Sequence, residues 1–127
     1  MVFARRVFLA AGVYGLAVLV PLYFLEGLIG RDAPPAITHP EFFYGFVGVG
    51  VAWQVAFLVI ARDPARFRPL MIPAVLEKAS FGFAVLALFA AGRVPVPVLL
   101  GALIDLLLGA LFVAAYLGTA GGQDGRP

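Results

Sequence analysis

The chain has 127 residues, of which 63% are apolar and only 13% are charged, and its mean hydropathy is +1.04. Soluble domains have about 45–50% apolar and about 25% charged residues, so most of this surface has to face lipid rather than water. A net charge of only +2 without a Lys/Arg cluster argues against nucleic-acid binding, and the absence of cysteine excludes disulfides and thiolate metal sites.

Four apolar runs follow one another along the chain, and each is long enough to cross about 30 Å of hydrocarbon at about 1.5 Å per residue. The predicted transmembrane helices, named spans 1 to 4, cover residues 5–27, 42–61, 69–92 and 95–117. Residues 1–117 are therefore predicted to form a single domain, an all-α integral membrane four-helix bundle with antiparallel neighbours. The tail, residues 118–127, has almost nothing to bury, and we expect it to be disordered.

Proline positions mark the ends and the interiors of these spans. Pro69, Pro95 and Pro97 fall in first turns, where a missing N–H costs nothing. Pro21 and Pro73 lie inside spans 1 and 3, and we expect each of them to kink its helix.

The arginines near the ends of the spans are distributed unevenly. One side of the predicted bundle holds six of them and the other side two: Arg5, Arg6, Arg62, Arg66, Arg68 and Arg126 against Arg31 and Arg93. Cytoplasmic loops carry an excess of basic residues. The sequence therefore predicts that the N-terminus, the loop between spans 2 and 3, and the C-terminus are cytoplasmic.

Spans 3 and 4 each carry charge at membrane depth, where an ionisable residue costs roughly 2.5–3.5 kcal/mol on insertion scales. Because the connection between them is short, Lys78 and Asp105 fall within a helical turn of each other in depth. Small residues that allow close helix approach recur four positions to either side of each charge: Ala74 and Gly82 around Lys78, and Gly101 and Gly109 around Asp105. We predict a structural ion pair between Lys78 and Asp105.

This pairing leaves Glu77 without a partner, because adjacent helical residues do not face each other. The residues at similar depth suggest a polar layer in the bundle interior: Tyr14, Trp53, Gln54, Glu77, Lys78 and Asp105. Three hypotheses fit such a layer: a hydrogen-bonded network that fixes helix register, a pocket for a lipid or quinone, and a proton or ion path. In its neutral form, Glu77 could donate a hydrogen bond to a carbonyl or quinone oxygen.

An outer-face polar cluster is predicted near the ends of spans 1 and 2, formed by Glu26, His39 and Glu41. These residues are typical of a membrane interface, and we expect Thr38 to cap span 2. No ligand spacing such as H-x-x-x-H is present, so the sequence predicts no metal site.

Four features from span 2 onward carry a resemblance to a known family: Phe-Tyr-Gly-Phe-x-Gly at 43–48, Ala-Arg-Asp-Pro at 61–64, Arg-Pro-Leu at 68–70, and the acidic Asp105 in the last span. Over residues 42–117 the chain resembles the DoxX-like group of small four-helix bacterial membrane proteins. The resemblance implies a multi-pass protein of the prokaryotic cytoplasmic (inner) membrane. It also implies an accessory role, because the namesake resembles a partner subunit of membrane oxidoreductases acting on sulfur compounds and quinones. It assigns no catalytic residue.

The sequence contains no Ser/His/Asp set, paired-cysteine motif or nucleotide-binding loop, so nothing indicates an enzyme and no cofactor is predicted. Our first interpretation is a non-enzymatic accessory or interaction subunit of a membrane assembly. Its predicted partners are the lipid bilayer and either other membrane subunits or a second copy of the chain. The alternatives are a lipophilic-ligand binding protein or membrane enzyme with a pocket around Glu77, and a small dimeric transporter. A filled interior favours the first, a lipid-accessible cavity at Glu77 the second, and a continuous polar track the third.

Overall fold

The computed structural model describes residues 1–120, which form α-helices and short 3-10 segments with no strand among them. The α-helices are α1 (Val2–Leu19), α2 (Glu26–Asp32), α3 (Pro40–Arg62), α4 (Met71–Ala90) and α5 (Val96–Gly118). A 3-10 segment at Val20–Phe24 follows α1, and another at Arg68–Leu70 precedes α4. The predicted all-α class is confirmed.

Four helical segments of 23 residues each are long and apolar enough to cross a membrane: Val2–Phe24, Pro40–Arg62, Arg68–Ala90 and Val96–Gly118. Helices of this length reach about 35 Å, which exceeds the thickness of a bilayer's hydrocarbon core. The number of spans agrees with the prediction, but span 1 begins earlier and ends at Phe24. It ends there because the backbone leaves the helical region at Leu25, with φ −116° and ψ 9°.

Two prolines expected to kink their helices behave differently. α1 ends at Leu19, and Pro21 lies in the 3-10 segment that follows it, so the helix type changes just before this proline. Pro73 is the third residue of α4, which runs unbroken to Ala90. The first N–H groups of a helix have no partner within it, so Pro73 removes no hydrogen bond. Pro73 therefore lies in the first turn of α4, where a proline does not require a kink, rather than in its interior as predicted.

The start of α3 also differs from the prediction. His39 is its N-cap residue, and no side chain makes a capping hydrogen bond there. Thr38 contacts the His39 ring instead, with its Oγ1 3.0 Å from Nδ1. The prediction that Thr38 caps this helix is wrong, because α3 begins one residue later than a Thr38 cap requires.

The four long helices are arranged as two hairpins. α1 packs mainly against α3, and α4 mainly against α5; contacts between α1 and α5 join the two hairpins. α3 and α4 touch at few positions. The sparse contact leaves a groove between α3 and α4.

One end of the bundle is closed by an aromatic cluster. The rings of Phe8 and Phe112 stack with their centroids 4.2 Å apart, and Phe57 packs edge-on against Phe112 at 4.9 Å. All three side chains are fully buried. The three rings come from α1, α3 and α5, and α4 adds Met71 and Ala74 to the buried apolar residues around them. It is the main apolar core of the protein.

The C-terminal end of α5 is attached to the same end of the bundle. Thr119 is buried, and its hydroxyl lies 3.2 Å from Nε of Arg68. The same Nε donates to the carbonyl oxygen of Tyr116 at 3.0 Å, and the guanidinium lies 3.7 Å from the centre of the Tyr116 ring. The tail was predicted to start at Gly118 with almost nothing to bury, and the buried Thr119 corrects this prediction at one residue. Residues 121–127 of the predicted tail lie outside the described residues.

The outer surface of the long helices is apolar. Phe24 is 84% exposed and Phe42 is 71% exposed, and large aliphatic side chains such as Leu76, Leu107 and Leu117 also point outwards. Such a surface would be unstable in water, whereas it suits the hydrocarbon region of a bilayer.

Candidate functional site

Lys78 lies at the centre of a three-residue charged group in the middle of the bundle. Its side chain is only 3% exposed, and its ammonium donates a hydrogen bond to Oδ1 of Asp105 on α5 at 3.3 Å. The same ammonium lies 3.6 Å from Oε2 of Glu77. The structure thus brings Lys78 and Asp105 together, but it corrects the expectation that Glu77 has no partner. The long lysine side chain reaches back to its neighbour, so two carboxylates share one ammonium.

Small residues allow the lysine to fit between α4 and α5. A Cβ added at Gly109 would lie only 3.3 Å from Cβ of Lys78, so α5 approaches α4 closely at this point. The ammonium also lies 5.2 Å from the centre of the Phe57 ring, at a distance suited to a cation–π contact. Lys78 is therefore surrounded by the aromatic cluster on one side and by two carboxylates on the other.

Gln54 brings a second buried polar group from α3. Its side chain is 1% exposed, and Nε2 donates to the carbonyl oxygen of Gly50 at 3.0 Å. Its Oε1 has no hydrogen-bond partner within residues 1–120. A Cβ at Gly15 of α1 would overlap the Gln54 amide, so glycine at this position lets the amide lie where it does. A buried carbonyl oxygen without a donor is an available acceptor, because it has lost its hydrogen bonds to water and has no protein donor in their place.

An inner cavity of about 260 Å³ lies among α1, α3, α4 and α5. It is lined by five of the six residues of the predicted polar layer: Tyr14, Gln54, Glu77, Lys78 and Asp105. Gly101, for which the sequence predicted a packing role, also lines the cavity, and a Cβ added there would meet nothing within 4 Å. Of the three glycines predicted to allow close helix approach, Gly82 and Gly109 are thus closely packed and Gly101 is not.

Trp53, the sixth predicted residue, lines a different space. An open groove of about 910 Å³ runs between α3 and α4, with mostly apolar walls that include Trp53, Pro73 and Leu76. Ser80 and Glu41 add polar groups to it. The groove opens on the apolar outer surface, so it is accessible from outside the bundle.

Glu77 lines both the groove and the inner cavity. Its Oε2 atom is buried and accepts no hydrogen bond from residues 1–120. Phe46 and Phe81 also line both spaces, and their rings stack with centroids 6.0 Å apart. The carboxylate of Glu77 therefore lies where a molecule entering from the groove would meet the polar interior.

Sequence analysis missed the two phenylalanines as site residues, although their spacing offered a signal. Phe81 lies four positions after Glu77, and Phe46 lies four before Gly50, so each shares a helical face with a residue of the cavity. The signal was weak because any apolar helix in a membrane contains many such pairs.

The three residues of the predicted outer-face cluster make separate contacts. Glu26 accepts a hydrogen bond from the Tyr44 hydroxyl at 2.7 Å, and His39 stacks on Phe42 with centroids 5.3 Å apart. Glu41 lines the groove. In the part of the chain that the structure describes, no group of three or more His, Cys, Asp or Glu residues is placed to hold a metal ion.

No known protein family, curated protein or solved structure matches the chain.

Proposed function

We propose that the protein binds a lipophilic molecule taken from the bilayer, with its apolar part in the groove between α3 and α4 and its polar part at Glu77. The observation that carries this proposal is the position of Glu77, which lines both the lipid-accessible groove and the polar inner cavity. A molecule with an apolar chain and a polar head matches this sequence of environments.

The size and character of the groove support the same proposal. Ligand pockets typically measure about 300–1,000 Å³ and combine apolar walls with a few polar groups. The groove, at about 910 Å³, falls in this range, and its walls are largely aromatic and aliphatic. Its polar groups, Glu41, Glu77 and Ser80, are few and lie on the two facing helices.

The same geometry favours ligand binding over the other two interpretations. An accessory subunit was expected to have a filled interior, whereas here only one end of the bundle is filled by aromatic side chains. A transporter was expected to have a polar track along the bundle. The closed end instead places Phe8, Phe57 and Phe112 in the way of such a track. The accessory function remains a prediction, and co-purification of other membrane subunits with the protein would test it.

We propose further that the chain lies in the inner membrane of a prokaryotic cell with both termini in the cytoplasm. The unequal distribution of arginines and the resemblance to DoxX-like proteins support this arrangement. The aromatic cluster would then lie at the cytoplasmic end, and the mouth of the groove at Glu41 would lie towards the outer face.

Native mass spectrometry of the protein released from gentle detergent tests the binding function directly. The wild-type chain is expected to carry a co-purifying molecule, and Gly45→Leu should lose it. Gly45 lines the groove, and an added Cβ there meets nothing within 4 Å, so leucine should obstruct the groove without disturbing α3.

Gly27→Leu is the matched control, because Gly27 also has open space around it and lies in α2 outside both spaces. It should keep the bound molecule. A wild-type protein that is empty, or equal occupancy in the Gly45 and Gly27 variants, would remove the proposed function.

A further inference from the structure

The charges around the inner cavity indicate what kind of polar head the site recognises, if the proposed function is correct. Within residues 1–120, the Asp, Glu, Lys and Arg side chains that line this cavity are Glu77, Lys78 and Asp105. With all three ionised, two carboxylates face one ammonium, which leaves one negative charge without a countercharge. Such a charge is costly in a low-dielectric interior unless a cation or a proton joins it.

From this imbalance we infer that the ligand is a lipophilic amine, whose protonated ammonium head binds at the carboxylate of Glu77. This inference rests on the proposed function and adds the chemical class of the ligand. The ammonium would provide the missing countercharge, and its N–H groups would supply the missing donors.

The distances assign the ligand to Glu77 rather than to Asp105. Lys78 makes its hydrogen bond to Asp105 at 3.3 Å, whereas its 3.6 Å contact with Glu77 is an ion pair without a hydrogen bond. Oε2 of Glu77 is therefore the carboxylate oxygen that still has room for a donor. Glu77 is also the carboxylate that faces the groove, from which the ligand would arrive.

The buried polar atoms that make no hydrogen bond point to the same class of head. Both of them, Oε1 of Gln54 and Oε2 of Glu77, are oxygens that can accept. Of the nearby donors, Lys78 donates to Asp105 and Nε2 of Gln54 donates to the carbonyl oxygen of Gly50, so neither donates to these two oxygens. A head that donates hydrogen bonds suits this site, whereas a quinone or another carbonyl head would add further acceptors.

Aromatic side chains provide additional stabilisation for a cation. Tyr14, Phe46 and Phe81 line the inner cavity, and the faces of aromatic rings attract cations, more strongly where water is excluded. The same rings would contribute much less to a neutral head.

Trp53 allows the inference to be tested, because it is the single tryptophan of the chain and lies in the groove. Bromine quenches tryptophan fluorescence at short range, so a brominated chain in the groove should quench Trp53. We would compare three probes with the same chain: ω-bromoundecylammonium, ω-bromoundecanol and the corresponding ω-bromo methyl ketone. The protein would be held in nanodiscs of zwitterionic phosphatidylcholine at neutral pH, where a primary amine is protonated.

The ammonium probe should quench Trp53 saturably, with an apparent affinity about tenfold or more above those of the alcohol and ketone, because charge-assisted hydrogen bonds are roughly twice as strong as neutral ones. Glu77→Gln should reduce ammonium binding to the level of the alcohol and leave the alcohol unchanged. The order of the three probe affinities is measured in the wild-type protein, so it does not depend on whether the Glu77→Gln variant folds.

A double variant, Trp53→Phe with Val55→Trp, controls for partitioning of the probes into the bilayer. Val55 lies half a turn away on α3 and is exposed, so a tryptophan there reports on bulk lipid. All three probes should quench it to the same extent and without saturation. Saturable, ammonium-selective quenching at position 55 would overturn the inference.

The remaining outcomes separate the inference from the proposed function. Equal affinities for the three probes, or tightest binding of the ketone, would overturn the amine inference while lipophilic binding in the groove stands. An ammonium preference that survives Glu77→Gln would overturn the role of Glu77. If no probe quenches Trp53 saturably, the inference fails, and native mass spectrometry of the Gly45 variant then decides the proposed function independently.

Discussion

Phe46 of α3 and Phe81 of α4 stack at the point where the groove meets the inner cavity, with their ring centroids 6.0 Å apart. Both rings contribute to the walls of both spaces. They therefore form the partition between the apolar groove and the polar interior, and α3 and α4 approach each other at few positions.

Removing one of these rings should open the passage between the two spaces. The chain has no cysteine, so Gly101→Cys places a single thiol in the inner cavity without a steric clash. We expect Phe81→Ala to increase several-fold the rate at which a lipophilic maleimide labels this thiol. Phe83→Ala is the control, since Phe83 is exposed on the same helix and lines neither space. Equal labelling rates in the two variants would show that the rings do not restrict access.

The charged group should respond unequally to loss of its members. Lys78→Met leaves two carboxylates without their shared ammonium, and removing a partner of a buried ion pair costs about 3–5 kcal/mol. Asp105→Leu should cost less, because Lys78 still lies 3.6 Å from Glu77. Thermal unfolding in detergent measures both losses. The triple change Lys78→Met, Asp105→Leu and Glu77→Gln should recover most of the stability lost in Lys78→Met, whereas additive losses would indicate that the three residues act independently.

Gly15 should not tolerate a side chain. A Cβ there would overlap the amide of Gln54, so Gly15→Ala should destabilise the protein by about 1–3 kcal/mol through overpacking. Gly101→Ala meets open space and should be neutral or stabilising by up to about 1 kcal/mol, as expected for alanine over glycine in a helix. Adding Gln54→Ala should rescue the Gly15 variant in thermal unfolding. Without such rescue, the contact between Gly15 and Gln54 would not be the cause.

Arg68 should hold the C-terminal end of α5 in place. Arg68→Ala removes the hydrogen bonds from the guanidinium to the Tyr116 carbonyl oxygen and the Thr119 hydroxyl, at a cost of about 1.5–3 kcal/mol, as is typical of hydrogen bonds to a charged group. The bond from the Thr119 hydroxyl to the Tyr116 carbonyl oxygen remains. Amide hydrogen exchange in the last turn of α5 should accelerate. Arg68→Lys should rescue little, because an ammonium cannot reproduce the planar contact with the Tyr116 ring. Unchanged exchange in the alanine variant would contradict this role.

The proposed orientation can be checked with reporter fusions. Fusions after Arg66 and at the C-terminus should report a cytoplasmic location, and one near Ala36 should report an external location, because the arginine distribution places them so. An external signal from the C-terminus would be inconsistent with four spans and a cytoplasmic N-terminus.

The sequence by itself determined the all-α class and the number of long apolar helices. Long apolar runs can satisfy their backbone hydrogen bonds in a membrane only as helices or closed barrels, and these runs lack the alternating period of barrel strands. It also predicted which residues lie at similar depth, since depth along a helix follows from counting at about 1.5 Å per residue. Counting from the short third connection placed Lys78 and Asp105 at similar depth, and in the structure Nζ of Lys78 lies 3.3 Å from Oδ1 of Asp105.

Only the tertiary structure decided how the helices are paired and where the interior is empty. Which face of a membrane helix meets a neighbour is not encoded in hydropathy, because the lipid-facing and buried sides are equally apolar. The weak contact between α3 and α4, the groove at Trp53, and the position of Glu77 between groove and cavity all depend on that pairing. The sharing of Lys78 by two carboxylates also depends on the helix pairing. A long lysine side chain can point in several directions, and its direction depends on the charges that packing brings within reach.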